Sequence, residues 1–115
     1  MQPSESAHWL RCRRPLDKAK LRARLLALPY AGGGASVFHV WTDELPSDIE
    51  VRALQLPARQ DRLSERGLTS VAAAVEKVRA ALAALPAAPL LLYGHSYGSL
   101  LGFELARSLA AAGTP

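Results

Sequence analysis

Residues 89–98 read Pro-Leu-Leu-Leu-Tyr-Gly-His-Ser-Tyr-Gly, an apolar run that leads directly into a G-x-S-x-G pentapeptide. The run predicts a short buried strand over 89–93, and the residues from about 97 to 112 predict a helix. In so sharp a strand-to-helix turn, a strained backbone projects the serine hydroxyl above the end of the strand. Glycines two residues before and after Ser96 let strand and helix approach closely. The stretch therefore predicts a nucleophilic serine.

The rest of the chain predicts two more strand–helix alternations. An apolar run over 24–29 and an alternating run over 49–54 predict strands. A single helix is expected over 35–45, with Ser36 as its cap and Pro46 as its end. A second helix follows Thr69 or Ser70 and ends at Pro86. Its apolar stripe has helical spacing and consists of Val71, Val75, Val78, Leu82 and Leu85. Strands that alternate with helices predict a mostly parallel sheet with helices on both faces.

The positive charge is concentrated at the start of the chain. Residues 1–24 contain seven Lys or Arg and two acidic residues, a net charge of +5. Residues 25–115 contain seven Lys or Arg and eight acidic residues, a net charge of −1. We interpret residues 1–23 as a basic arm, either solvated or docked on an acidic protein partner. Residues 24–115 are interpreted as the N-terminal part of one domain. Nucleic-acid binding is not predicted, because neither stacking aromatics nor a known module accompanies the charge.

Composition excludes several other classes. No apolar run approaches the ~20 residues that span a membrane, and none near the N-terminus resembles a secretory signal, so a cytoplasmic protein is expected. The single cysteine, Cys12, gives neither an internal disulfide nor a metal cluster. No phosphate-binding glycine motif is present, and no cofactor is expected.

The catalytic set is incomplete in these 115 residues. A serine needs a general base, and in α/β-hydrolases the order is Ser, Asp or Glu, then His. The three histidines, His8, His39 and His95, all precede Ser96. Glu104 is the only acid after Ser96 and is interpreted as a surface residue of the last helix. His95 is assigned a structural role, with its side chain pointing away from the serine.

An oxyanion hole requires two backbone N–H groups aimed at the substrate carbonyl oxygen. The residue after the nucleophile, Tyr97, supplies one at the start of a helix. The loop after an earlier strand supplies the other, and the glycine-rich residues 29–34 occupy that place. We assign the second donor to Ala31.

Three blocks in order, residues 28–36, 54–62 and 93–107, are similar to type II thioesterases. These stand-alone α/β-hydrolases accompany modular polyketide synthases and non-ribosomal peptide synthetases. The resemblance implies an α/β-hydrolase fold that stops, in these residues, after the helix that follows Ser96. It implies hydrolysis of acyl thioesters on the phosphopantetheine arm of acyl or peptidyl carrier proteins. Ser96 matches the nucleophile, and Ala31 and Tyr97 match the oxyanion donors. The family's later Asp and His have no counterpart, so this chain alone is expected to be inactive.

Three alternatives remain. An acyltransferase shares G-H-S-x-G but usually has Glu where Ser99 stands. A generic esterase or lipase explains the pentapeptide but not the block at 57–62. A catalytically dead fragment or interaction remnant is the non-enzyme alternative. Because the nucleophile strand normally lies near the middle of its sheet, we also expect an unpaired strand flank, which favours aggregation.

Overall fold

The fold is a four-stranded sheet with helices on both faces, in the order β1-β3-β2-β4. A computed structural model describes residues 8–30, 33–38, 40–56 and 70–113. β2, β3 and β4 run parallel, and β1 is antiparallel to β3. The elements are β1 (Leu10–Arg11), β2 (Ala23–Leu28), a 3₁₀ helix (Ala35–Phe38), α1 (Trp41–Glu44), β3 (Ile49–Leu54), α2 (Val71–Ala83), β4 (Leu90–Gly94) and α3 (Tyr97–Ala111). The predicted α/β architecture is thus confirmed.

Alternation along the central strands divides the core into two layers. On one face, Leu26, Leu28 and Leu54 pack with apolar residues of α2 and α3. On the other face, Ala27 and Ala53 pack against Phe38 of the 3₁₀ helix. A strand covered on both faces buries both of its side-chain sets.

The single helix predicted over 35–45 is wrong. The structure has a 3₁₀ turn over Ala35–Phe38 and a separate four-residue α1. The Ala35 N–H donates to the buried Gln55 Oε1 at 2.7 Å, which fixes the start of the segment to the end of β3. Phe38 then inserts against the sheet, and its ring meets Trp41 edge-on at 4.9 Å between centroids. This tertiary packing overrides the regular helical register.

The N-terminal segment contributes to the core, which the solvated-arm interpretation did not anticipate. Trp9 and Leu10 are buried, and Leu10 pairs with Leu54 across β1 and β3. A two-residue strand is too short to show periodicity, so it has no recognisable signal in the sequence. The division between residues 23 and 24 stays a prediction.

The two central strands carry a buried charged trio, which consists of Arg24 on β2 and of Glu50 and Arg52 on β3. Glu50 Oε1 accepts from Arg24 Nε at 2.7 Å and from Arg52 Nε at 2.9 Å. Its other oxygen accepts from the Leu16 N–H at 2.9 Å. The predicted strand over 49–54 is confirmed, but its polar residues are buried rather than solvent-facing.

The two long helices follow the prediction closely. Ser70 caps α2, since its Oγ accepts from the Ala73 N–H at 3.1 Å. Gly113 ends α3 with a φ of 82°. β4 is shifted by one residue from the predicted strand and is not fully buried, because it lies at the edge of the described sheet. Leu91 and Tyr93, on one face of it, are 52% and 42% exposed.

Candidate active site

Ser96 lies at the junction of β4 and α3 with φ 57° and ψ −113°. Within the described ranges it is the only residue other than glycine with a positive φ. L-residues rarely adopt this conformation, and such strain occurs at functional turns. The sharp turn predicted from G-x-S-x-G is therefore present.

The two glycines of the pentapeptide make this turn sterically possible. A Cβ on Gly94 would overlap the backbone of Gly98, which belongs to the first turn of α3. A Cβ on Gly98 would in turn overlap the backbone oxygen of Leu28. Because these obstacles are backbone atoms, they cannot rotate away. Only glycine lets β2, β4 and α3 meet this closely.

Hydrogen bonds attach the turn to its surroundings. The His95 N–H donates to the Leu28 carbonyl at the end of β2, at 3.1 Å. The Ser99 hydroxyl donates to the Gly94 carbonyl at 2.9 Å and links the end of β4 to α3. In the sequence, Ser99 stands out only as a departure from acyltransferases, and nothing there predicts this bond. The turn is thus held to two strands.

The predicted oxyanion donors are the N–H groups of Tyr97 and Ala31. Tyr97 is the first residue of α3, where backbone N–H groups have no intrahelical acceptor and the helix dipole is positive. Ser96 makes no capping hydrogen bond with its side chain. Ala31, the predicted second donor, lies outside the described residues, as does the block at 57–62. The residue before it, Tyr30, contacts His95, with ring centroids 5.6 Å apart.

The remaining titratable residues considered from the sequence are Glu104, His8, His39 and Cys12. Both carboxylate oxygens of Glu104 accept from Arg107, at 3.1 and 3.2 Å, on the surface of α3. This agrees with the interpretation of Glu104 as a surface residue. His8 contacts Arg11 near the N-terminus, and His39 lies outside the described residues. Burial raises the pKa of the Cys12 thiol, and the charge of Arg52 only partly offsets this, so Cys12 is a poor nucleophile.

The described part of the chain also bears on metal binding and membrane insertion. No group of three or more His, Cys, Asp or Glu side chains there is placed to hold a metal ion. None of the helices described has the length and apolar character needed to cross a membrane.

Comparison with known proteins places this geometry in a family. The thioesterase domain model matches residues 23–115. The gramicidin S biosynthesis protein GrsT of Aneurinibacillus migulanus is 44% identical over 88 residues, which are 76% of this chain and 34% of that protein. Thioesterase PikA5 of Streptomyces venezuelae is 39% identical over 106 residues, which are 91% of this chain and 37% of that protein.

Solved structures agree. The type II thioesterase BorB from the borrelidin biosynthetic cluster superimposes with a TM-score of 0.83 at 37% identity, covering 92% of this chain and 42% of BorB. RedJ superimposes with a TM-score of 0.77, also at 37% identity, covering 89% of this chain and 42% of that structure. The chain thus spans well under half the length of these proteins. It belongs to the thioesterase domain family and corresponds to the N-terminal part of type II thioesterases with an α/β-hydrolase fold.

Proposed function

We propose that this chain carries the nucleophile of an enzyme that hydrolyses acyl thioesters on the phosphopantetheine arms of carrier proteins. The observation that supports this most strongly is the strained turn at Ser96 in a chain that matches the thioesterase domain. The hydrolase class follows from membership of the family. The part that we propose is the substrate, a thioester bound to a carrier protein.

In the proposed reaction, Ser96 Oγ attacks the carbonyl carbon of the thioester and loses its proton to a general base. The N–H groups of Tyr97 and Ala31 donate to the oxyanion that forms on the carbonyl oxygen. The carbon–sulfur bond breaks, the phosphopantetheine thiol leaves with a proton, and an acyl ester on Ser96 remains. Water then hydrolyses this ester in a second step of the same kind.

Residues 97–115 contain no histidine, so they do not supply the general base. Loss of the base in a serine hydrolase costs a factor of roughly 10⁶ in kcat, or about 8 kcal/mol. We therefore propose that the 115 residues alone do not turn over thioesters.

An acyl-N-acetylcysteamine thioester tests this directly. We expect the 115-residue chain and its Ser96→Ala variant to hydrolyse it at the same rate. A clear Ser96-dependent rate would show that a base is available within the chain and would overturn the inactivity.

The complete reading frame tests the function itself. If codons beyond 115 supply an Asp and then a His, the full product is expected to release acyl groups from a carrier protein in a Ser96-dependent manner. A full product with both residues and no such activity would contradict the thioesterase proposal. A stop codon directly after Pro115 would favour the interaction remnant.

The partner proposed is an acyl or peptidyl carrier protein. If the basic arm is the docking surface, the carrier protein binds it through acidic residues. Arg13 and Arg14 are exposed; Arg13 pairs with Asp43 at 3.4 Å, and Arg14 donates to the Thr42 carbonyl at 3.1 Å. Capture of the chain by immobilised holo-carrier protein should weaken when Arg11, Arg13 and Arg14 are replaced by Glu. Unchanged capture would exclude the arm as the docking surface.

A further inference from the structure

Tyr30 and His95 form a side-chain contact that the proposed catalytic roles do not use. Their ring planes lie at 75° to each other, with centroids 5.6 Å apart. This edge-to-face arrangement is one that aromatic pairs prefer. Tyr30 is 43% exposed and His95 is exposed, so neither ring is held in place by the main core.

Tyr30 also lies close to Gly33. The Gly33 N–H donates to the Tyr30 carbonyl at 2.9 Å. A Cβ on Gly33 would lie only 3.1 Å from Cζ of the Tyr30 ring. The ring of Tyr30 thus has both Gly33 and His95 as neighbours.

His95 connects this arrangement to the nucleophile. It directly precedes Ser96, and its N–H donates to the Leu28 carbonyl at 3.1 Å. Its carbonyl accepts from the Gly98 N–H at 3.0 Å, on the far side of the strained serine. A rotation of the turn around Ser96 would therefore move His95 away from both Leu28 and Tyr30.

We propose that the Tyr30–His95 pair positions the nucleophile, by fixing the turn around Ser96 to the end of β2. Both are positioning residues: they act through the backbone of the turn and touch no reacting atom. The catalytic consequence rests on the proposed function of Ser96. The positional coupling itself stands on the contacts of the described residues alone.

Amide hydrogen exchange of the peptide covering residues 95–100 tests the coupling without any catalytic turnover. The variants are Tyr30→Ala, His95→Ala, the double variant and the conservative Tyr30→Phe. Phe103→Ala is the matched control, because Phe103 is an exposed aromatic residue on α3 away from the pair. The exchange of residues 71–83 in α2 is followed in the same samples as a measure of general loosening.

We expect each single alanine variant to accelerate exchange of residues 95–100 by about two- to tenfold, with α2 unchanged. The double variant should exchange no faster than the faster single variant, and Tyr30→Phe should match the wild type. If both single variants exchange like the wild type, or if their effects multiply in the double variant, the pair does not position the turn. If Tyr30→Ala does not fold, His95→Ala against the wild type decides, since the His95 side chain is exposed. The thioester assays on the full product test the proposed function separately. The positional coupling and the thioesterase activity can therefore be contradicted independently of each other.

Discussion

At the residue scale, the turn depends on Gly98 having no side chain. A Cβ there would overlap the Leu28 carbonyl, and the obstacle is backbone at the end of β2. We expect Gly98→Ala to lower the free energy of unfolding by at least about 3 kcal/mol, measured by urea denaturation.

Gly102→Ala, one turn along α3, is the matched control. A Cβ at Gly102 would meet only the flexible Cδ1 of Leu28, at 3.3 Å, and alanine favours a helix by up to about 1 kcal/mol. We expect a change within about 1 kcal/mol. Equal effects of the two substitutions would show that the close approach at Gly98 is not needed.

Glu50 gives the chain a stability that depends on pH. Burial alone would raise the pKa of Glu50, but hydrogen bonds from Arg52, Arg24 and the Leu16 N–H outweigh it and hold the pKa below its ordinary value. A carboxylate with a depressed folded pKa stabilises the protein above its unfolded pKa, about 4.3, and loses this as pH falls through the folded value. The urea concentration at the unfolding midpoint should therefore decrease as the pH drops below about 4.3. Glu50→Gln should make this midpoint less dependent on pH.

At neutral pH, Glu50→Gln leaves the charges of Arg24 and Arg52 buried without a counter-charge. Removing one partner of a buried ion pair costs about 3–5 kcal/mol. Asp48→Asn is the matched control, because it removes the exposed ion pair with Arg22, whose N–O distance is 3.0 Å. Exposed pairs contribute about 0–1 kcal/mol. A Glu50 variant as stable as the Asp48 variant would contradict the structural role of the trio.

At the scale of the element, one side-chain hydrogen bond caps the start of α2, in which the Ala73 N–H donates to Ser70 Oγ. Ser70→Ala removes the acceptor and should lower the free energy of unfolding by about 1 kcal/mol. Ser70→Asp keeps an acceptor and adds a negative charge at the positive end of the helix dipole, so it should retain the stability. Thermal denaturation followed by circular dichroism measures both. An alanine variant with an unchanged Tm would show that this cap contributes nothing.

At the scale of the whole molecule, β4 has no partner along one edge in the described sheet, and exposed apolar side chains lie on β4 and on the helix that follows it. Leu91 and Tyr93 on β4, with Leu100 and Phe103 on α3, are between 42% and 62% exposed. Open strand edges with apolar neighbours promote association. We expect the isolated 115-residue chain to self-associate as its concentration rises, in sedimentation velocity, and Leu91→Lys to shift it towards monomer. A wild-type chain that stays monomeric and unfolds cooperatively would contradict this expectation.

The sequence by itself determined the elements with strong local signals. The apolar stripe and Ser70 located α2, the short apolar run located β4 to within one residue, and G-x-S-x-G located the strained serine. These succeed because periodicity and glycine spacing are properties of neighbouring residues. The three sequence blocks also pointed to the thioesterase family, which the comparisons then showed.

Only the tertiary structure decided the features that join distant residues. The 35–45 segment divided because Phe38 packs on the sheet, and the buried Glu50 has its charge paired because Arg24, 26 residues away on β2, joins the neighbouring Arg52 as a donor. Neither the pairing of Leu10 with Leu54 nor the contact of Tyr30 with His95 leaves a trace in local sequence, since each joins residues more than forty apart in the chain. Local chemistry thus fixed which residue is the candidate nucleophile, whereas packing between β2, β4 and α3 decided how it is held.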